Sequence, residues 1–308
     1  MTVGRILVCG GGGFIGGHVV AALRAAGHPV TVLDFAGPRG DAPEGVDWVT
    51  GPISDTTLVA SAASHCAAAI FLANASLPGS SQTDLAGEAE AHVGQTLRVA
   101  ETCRGVGLSR FVFASSGGTV YGRDAPEGGL SEDAPTRPLN AYGVSKLAIE
   151  HYLRLLDRAG PMRALSLRVS NPYGEGQRAT RAQGVVAAAM QHVHAGTTMP
   201  IWGDGTVTRD FVHVGDVARA FVAALDHDGP DTEINVGSGR ETSINAVLDG
   251  VRAATGRPLD VEYQPVRVID VRRNALNVSR AHAALGWAPE VDLSEGLART
   301  AAWWAARA

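Results

Sequence analysis

Tyr142 and Lys146 stand four residues apart in AYGVSK. On a helix that spacing puts a phenol and an ammonium on one face. A cation near a phenol favours the phenolate and lowers its pKa, which is what a tyrosine general base needs near neutral pH. As a bare i,i+4 pair the two would be a surface contact, so their value rests on what precedes them. That is FVFASSGGTVYG (Phe111–Gly122), an apolar run spilling into the small hydroxylated residues Ser115, Ser116 and Thr119.

A second pattern lies near the N-terminus. Gly10, Gly13 and Gly16 follow a short apolar run in G-x-x-G-x-x-G order, with Phe14 and Ile15 between the last two. Glycines there allow a tight turn and let backbone N–H groups and a helix N-terminus reach a pyrophosphate. Asp34 closes the next apolar run, about the right distance on to accept hydrogen bonds from an adenosine ribose. A carboxylate there repels a 2′-phosphate, so the pattern favours NAD over NADP.

The elements that must position these residues read as strands alternating with helices. Gly4–Cys9, Val30–Asp34, Trp48–Ile53, Ala68–Ala73, Arg110–Ala114 and Arg163–Val169 are expected strands. Helices are expected to about Ala26, over Asp55–His65, over Asp84–Cys103 and over Leu139–Ala159. The alternation predicts an α/β fold with a doubly wound parallel sheet. In such sheets ligands lie beyond the carboxyl ends of the strands, where the glycines, Asp34, Ala73-Asn74, Ser115–Thr119 and Ser170-Asn171 all fall. After residue 170 the pattern loosens into a smaller α/β lobe. Residues 1–170 with about 211–237 are assigned to the dinucleotide domain, and 171–210 with 238–308 to the lobe.

The chain of 308 residues carries a net charge of −5 and no basic run, which argues against nucleic acid and anionic membranes as partners. Arginine dominates the cations, and Lys146 is the only lysine. Three widely spaced cysteines, Cys9, Cys66 and Cys103, fit reduced thiols in a cytosolic protein, with no zinc pattern and no disulfide frame. No apolar run reaches membrane length. His192-x-His194 lies on an expected helix without a third ligand, so no metal is expected.

The segments GGGGFIG, SSGGTVYG, YGVSK, LRVSNPYG, GDGTVTRDFVHVGD, NVGSG and LGWAPEVDLSEGL carry a resemblance over nearly the whole length. The chain resembles the extended short-chain dehydrogenases/reductases of the nucleotide-sugar epimerase/dehydratase type, and among these the UDP-hexose (UDP-galactose) 4-epimerases. The resemblance implies a Rossmann domain that keeps NAD bound and a cleft for a UDP-linked sugar. By position, Gly10, Gly13, Phe14, Ile15 and Gly16 would hold the pyrophosphate and Asp34 the adenosine ribose. Ile53 would line the adenine pocket, with Leu72, Ala73, Asn74 and Ser115 along the dinucleotide. Tyr142 would be the base and Lys146 its partner, also bonding the nicotinamide ribose. Asn171 would meet the sugar nucleotide, Gln183 and Ile201 would line its site, Arg209 and Arg267 would bind its diphosphate, and Asp270 its ribose. The reaction implied is inversion at C4 through a 4-keto sugar.

Departures from the family pattern sharpen the expectations. Gly117 stands where a serine is common, so the hydroxyl is assigned to Thr119, with Ser116 as the other choice. His92 replaces an asparagine and reads as a helix residue packed beside the cofactor. Pro52 replaces an aspartate. Asn274 occupies the position that limits sugar size in some relatives, and Arg178, Arg181, Arg272 and Arg273 open a uronate as a further substrate. Alternatives on the same platform are a 4-ketoreductase or a dehydratase; Gly117-Gly118 take the place of a dehydratase's acid pair. A non-catalytic NAD-binding regulator is the alternative from another class. The resemblance also implies a homodimer through the Asp84–Cys103 and Tyr142–Ala159 helices; Leu147, Ile149, Leu153 and Leu156 supply apolar surface compatible with it, and internal packing against the sheet would use the same residues.

Overall fold

The computed structural model describes residues 4–38, 40–74, 84–178, 184–265 and 271–307. In chain order these form β1 (Ile6–Cys9), α1 (Phe14–Ala25), β2 (Val30–Asp34), β3 (Val46–Thr50), α2 (Thr56–Ala63) and β4 (Ala68–Phe71). Next come α3 (Leu85–Glu88), a π-helical turn (Ala89–Gly94), α4 (Gln95–Gly105), β5 (Arg110–Ser116), α5 (Ala141–Ala159) and β6 (Arg163–Val169). The remainder is β7 (Asn171–Tyr173), α6 (Val185–Ala195), β8 (Met199–Trp202), β9 (Thr208–Arg209), β10 (Phe211–His213), α7 (Val214–Ala223), β11 (Glu233–Val236), β12 (Thr242–Ser243), α8 (Ile244–Thr255), β13 (Val261–Gln264), α9 (Ser279–Leu285) and α10 (Leu293–Ala305).

Seven strands make one parallel sheet in the order β3-β2-β1-β4-β5-β6-β11. The order reverses between β1 and β4, the switch point at which such sheets open a crevice. β1 (ILVC) and β4 (AAIF) are buried throughout, as strands covered on both faces must be. Alternate strand residues feed two cores. Val8, Val32, Ile70 and Leu165 pack with Val19, Leu23, Val217 and Phe221 of α1 and α7. Leu7, Leu33, Phe71 and Phe111 pack with Val99, Ile149 and Leu153 of α4 and α5. Each fully buried aliphatic or aromatic side chain contributes about 1.5–3 kcal/mol.

A third core joins α6, α8 and α10 with β8 through Met190, Val193, Ile201, Leu248 and Leu297. α9 does not join it. Ala281 of α9 and Trp287 beyond it are buried in the core of the large sheet, so this stretch packs with the dinucleotide-binding half although its sequence position suggested the lobe. No helix among the described residues is long and apolar enough to cross a membrane. Among the same residues no cluster of His, Cys, Asp and Glu could hold a metal ion.

Candidate active site

The cradle comes first because one strand and one turn build it. β1 ends in Gly10, whose φ of +86° suits glycine and strains other residues. A Cβ there would stand 2.8 Å from the Ala73 nitrogen. At Gly16 a Cβ would lie 2.2 Å from the Gly10 carbonyl oxygen and 2.8 Å from Gly11 Cα. Backbone therefore occupies the volume that side chains would need. α1 opens at Gly13 with no side-chain cap, which leaves its first N–H groups to a ligand. Asp34, at the end of β2, accepts from Gly12 N at 2.9 Å and from Ala36 N at 3.1 Å, so its carboxylate is fixed beside the glycine turn. A backbone cradle free of side chains, an uncapped helix N-terminus and a fixed carboxylate fit a dinucleotide.

A cleft of about 550 Å³ runs from this cradle to the lobe. Gly10, Gly13, Phe14, Ile15 and Gly16 line it at one end, with Leu72 and Asn74 from the end of β4. Ser116, Thr119, Tyr142, Asn171 and Arg209 line it further on. Ala73 backs the Gly10 turn, and Ile53 is partly buried against the α4–α5 side of the sheet. Gln183, Arg267 and Asp270, like Arg181, lie outside the described residues.

α5 holds the central pair. Its N-cap, Asn140, accepts from Gly143 N at 2.8 Å, a cap worth about 1 kcal/mol that fixes where the helix begins. Tyr142 is 9% exposed and Lys146 3%. Asn74 Nδ2 donates to the Tyr142 hydroxyl at 3.3 Å. Lys146 Nζ donates to Ala114 O at 2.7 Å and lies 5.4 Å from the centre of the Tyr142 ring. The pair shares a face, as the spacing predicts.

The expected acidified phenol is corrected. Burial pushes the Tyr142 phenol up, and Glu88 adds to the rise while the Asn74 hydrogen bond opposes it. The Lys146 charge goes instead to a carbonyl and to the face of Phe113, 4.6 Å from the ring centre.

Burial also pushes the Lys146 ammonium from 10.5 down to about 7, against the pull of Glu150 and Glu88. The folded chain then binds fewer protons than the unfolded chain between those two values, so this group's contribution to stability rises with pH across that window. Its cost is fully present below about 7. Lys146→Met is therefore expected to stabilise the fold at pH 6 by on the order of 1–3 kcal/mol while removing turnover. The gain should fade toward pH 10; thermal midpoints across that range check it, and an unchanged or lowered midpoint at pH 6 would contradict it.

Thr119 Oγ1 is buried without a protein partner, as are Gln177 Oε1 and Asn274 Oδ1. All three residues line the cleft. Orphaned buried polar atoms cost stability unless something pairs them, so these three point to a ligand. They also separate the two hydroxyl candidates: Ser116 lines the cleft too, but the orphan is on Thr119. The glycine at 117 has a steric cause. A Cβ there would stand 2.5 Å from Leu276 Cδ1 and 3.0 Å from Arg168 O, so a serine does not fit without displacing Leu276.

Two assignments are corrected. The Ser115 side chain does not face the dinucleotide path; its hydroxyl donates to the buried Glu150 carboxylate. Neighbouring strand residues face opposite sides, so with Ser116 toward the cleft Ser115 turns inward. Ile201 is 5% exposed within the third core and does not line the cleft.

Other expectations are sorted by geometry. Arg273 is held by Glu241 at 2.7 Å, which spends its charge away from the cleft, and Arg178 is exposed. His92 is buried, edge-on to the Tyr142 ring at 5.7 Å, with Nδ1 3.2 Å from Glu88 Oε1. Burial pushes it down to about 4, so it is neutral at neutral pH. It sits in the π-helical turn, a feature frequent at functional sites; a continuous helix over Asp84–Cys103 does not anticipate it.

Sequence reasoning missed Gln177 and Asp210. Gln177 stands in the NPYGEGQ segment, which was itself a signal. Asp210 is fully buried and accepts from Ser238 N at 2.7 Å, Gly239 N at 3.1 Å and Leu276 N at 3.1 Å. Its carbonyl accepts from Asn171 N at 3.0 Å and Asn171 Nδ2 at 3.1 Å. The Asp210 node thus fixes Asn171, which lines the cleft, and its sequence trace was a charged residue inside the GDGTVTRDFVHVGD segment.

Comparison with known proteins agrees with this geometry. The chain is 36% identical to a UDP-glucose 4-epimerase of Mycolicibacterium smegmatis, over 96% of this chain and 97% of that one. A UDP-glucose 4-epimerase of Thermotoga maritima, solved with UDP-glucose, superposes with a TM-score of 0.92 at 31% identity, over 98% of this chain and 99% of that one. A UDP-glucuronic acid 4-epimerase of Bacillus cereus, solved with UDP-glucuronic acid and NAD, superposes with a TM-score of 0.88 at 25% identity, over 99% of this chain and 100% of that one. Residues 6–237 match the family described as NAD dependent epimerase/dehydratase, and the chain belongs to it.

Proposed function

We propose that this chain is an NAD-dependent epimerase that inverts C4 of a UDP-linked sugar. The observation that carries the proposal is one cleft in which the glycine cradle, the Tyr142–Lys146 pair and the orphaned Thr119, Gln177 and Asn274 atoms meet. The names of full-length relatives support the sugar-nucleotide class, and Asp34 beside the cradle supports NAD. The glycine cradle and Asp34 would hold NAD, which would supply the hydride acceptor and donor for C4.

The chain's own part is to hold the sugar and move a proton. Tyr142 Oη takes the proton of the 4-hydroxyl and later gives it back. Burial holds the phenol above its ordinary value, and the Lys146 ammonium on the same helix face favours the phenolate when the proton moves. Thr119 Oγ1 donates to the oxygen at C4 as it becomes a carbonyl, and Ser116 is the second hydroxyl at the same strand end. Asn171 and Arg209 hold the nucleotide side, where a planar guanidinium suits diphosphate oxygens. The sugar can then present either face to Tyr142.

The dinucleotide half (residues 1–170 and about 211–237) and the lobe (171–210 and 238–308) form the two walls, with α9 counted on the dinucleotide side. The proposal includes a cytosolic homodimer joined through α4 and α5. Ile149 and Leu153 are buried against the sheet, and Leu147 and Leu156 are partly buried, so Ile149 and Leu153 have no surface left for a second copy. Val144, Tyr152 and Leu155, which are 53%, 50% and 58% exposed, form the outer stripe that would meet a second copy.

Incubation with UDP-glucose, UDP-N-acetylglucosamine and UDP-glucuronate in turn, with products read by NMR, tests the function. Conversion of at least one to its C4 epimer is expected. No conversion of any would sink the proposal and favour the reductase or the non-catalytic reading.

A further inference from the structure

Lys146 is the only lysine in the 308 residues; the other 25 of the 26 Lys and Arg residues are arginines. It is buried, and one turn further along its helix lies a charge network that the reaction does not use directly. Tyr142, Lys146 and Glu150 follow at i, i+4 and i+8 of α5, one stripe along the helix. Glu150 is fully buried. Arg168 of β6 grips it with Nη2 at 2.7 Å from Oε2 and Nε at 3.1 Å from Oε1, and the Ser115 hydroxyl donates to the same carboxylate. Arg168 Nη1 also donates to the Tyr121 hydroxyl at 3.0 Å and to Glu132 O at 3.1 Å. Tyr121 in turn donates to Asn235 Oδ1 at 2.7 Å. The network ties together the end of β5, the helix of Tyr142 and Lys146, and the Thr119–Tyr121 segment.

We propose that Glu150, clamped by Arg168 and Ser115, is a positioning residue whose fixed negative charge keeps the site's one ammonium charged and in place behind Tyr142. The proposal rests on the reading of Lys146 as the partner of Tyr142. A buried cation left alone gives up its proton, and the groups that bear on this one are few. From α5 come Tyr142 and Glu150. From α3 and the π-helical turn come Glu88 and His92, the latter neutral. From β6 comes Arg168, with Tyr121 and Glu132 behind it. Of the two carboxylates that oppose the burial of Lys146, Glu150 contributes more than Glu88. A buried bidentate pair such as Arg168–Glu150 is poor evidence for stability, whereas as a clamp it gives Lys146 a counter-charge that cannot swing away.

A single lysine makes the test direct. Untagged protein labelled with 13C-lysine shows one lysine side-chain signal, whose shift against pH reports the Lys146 protonation midpoint without any turnover. Glu150→Gln is expected to lower that midpoint by at least about one unit, a tenfold change in protonation. Arg168→Gln, which releases the carboxylate from its clamp, is expected to lower it too. Either variant suffices if the other does not fold. The proposal is overturned if the midpoint of a folded Glu150→Gln or Arg168→Gln protein stays at the wild-type value, or if either moves opposite to its expected direction. Because catalysis is not read, failure of the epimerase assignment and failure of this inference are distinguishable.

Discussion

Tyr142→Phe is expected to cut kcat by about 10²–10⁴-fold, the usual worth of a placed general acid–base group, while the fold and NAD binding stay intact. The substitution removes one oxygen from a side chain that is 9% exposed. The hydroxyl accepts from Asn74 Nδ2 at 3.3 Å, a long hydrogen bond whose loss should cost about 1 kcal/mol or less. The packing of His92 against the ring needs no hydroxyl. Loss of turnover with unchanged cofactor affinity and thermal midpoint is thus the signature of a lost proton carrier. Near wild-type kcat would remove Tyr142 from the mechanism.

Gly16→Ala is the second large effect, and it acts on the cofactor. The new methyl would stand 2.2 Å from Gly10 O and 2.8 Å from Gly11 Cα. Those are backbone atoms of the turn itself, so the helix must move away from the strand end. Overpacking of this kind costs about 1–3 kcal/mol, and the strain falls on the geometry that holds the pyrophosphate. NAD affinity should fall by at least about tenfold, since each tenfold is about 1.4 kcal/mol. Gly17→Ala is the control: its Cβ meets nothing within 4 Å, and alanine is the better helix former. Calorimetric titration of both variants with NAD should show a loss only for residue 16; equal affinities would contradict the cradle.

What was legible in the sequence was what repeats locally. The strand–glycine–helix–strand–acid order is written in consecutive residues, and each residue type carries its own reason. The same holds for the shared face of Tyr142 and Lys146. What was not legible depends on partners distant in the chain. Ser115 and Ser116 are indistinguishable by type; only the burial of Glu150 behind β5 decides which one turns inward. Ile201 alternates with exposed Pro200 and Trp202 on β8, and nothing local shows which face meets α6 and α8. Gly117 reads as a missing hydroxyl until Leu276 is found in its place. Leu147, Ile149, Leu153 and Leu156 are apolar at helical spacing, but that spacing does not separate a sheet-facing side from a partner-facing one. The direction of the Tyr142 shift failed for a related reason. Helical spacing brings a cation near the ring, but burial raises the phenol and the ammonium donates to Ala114 O.

The central claim is that the C4 hydrogen leaves and returns to the same carbon within one site. UDP-glucose, UDP-N-acetylglucosamine and UDP-glucuronate deuterated at C4, incubated with the protein in ordinary water, test it most directly. NMR should find the C4 epimer of at least one of them with the deuterium still on C4. An epimer carrying ordinary hydrogen at C4, or no epimer from any of the three, would contradict the account.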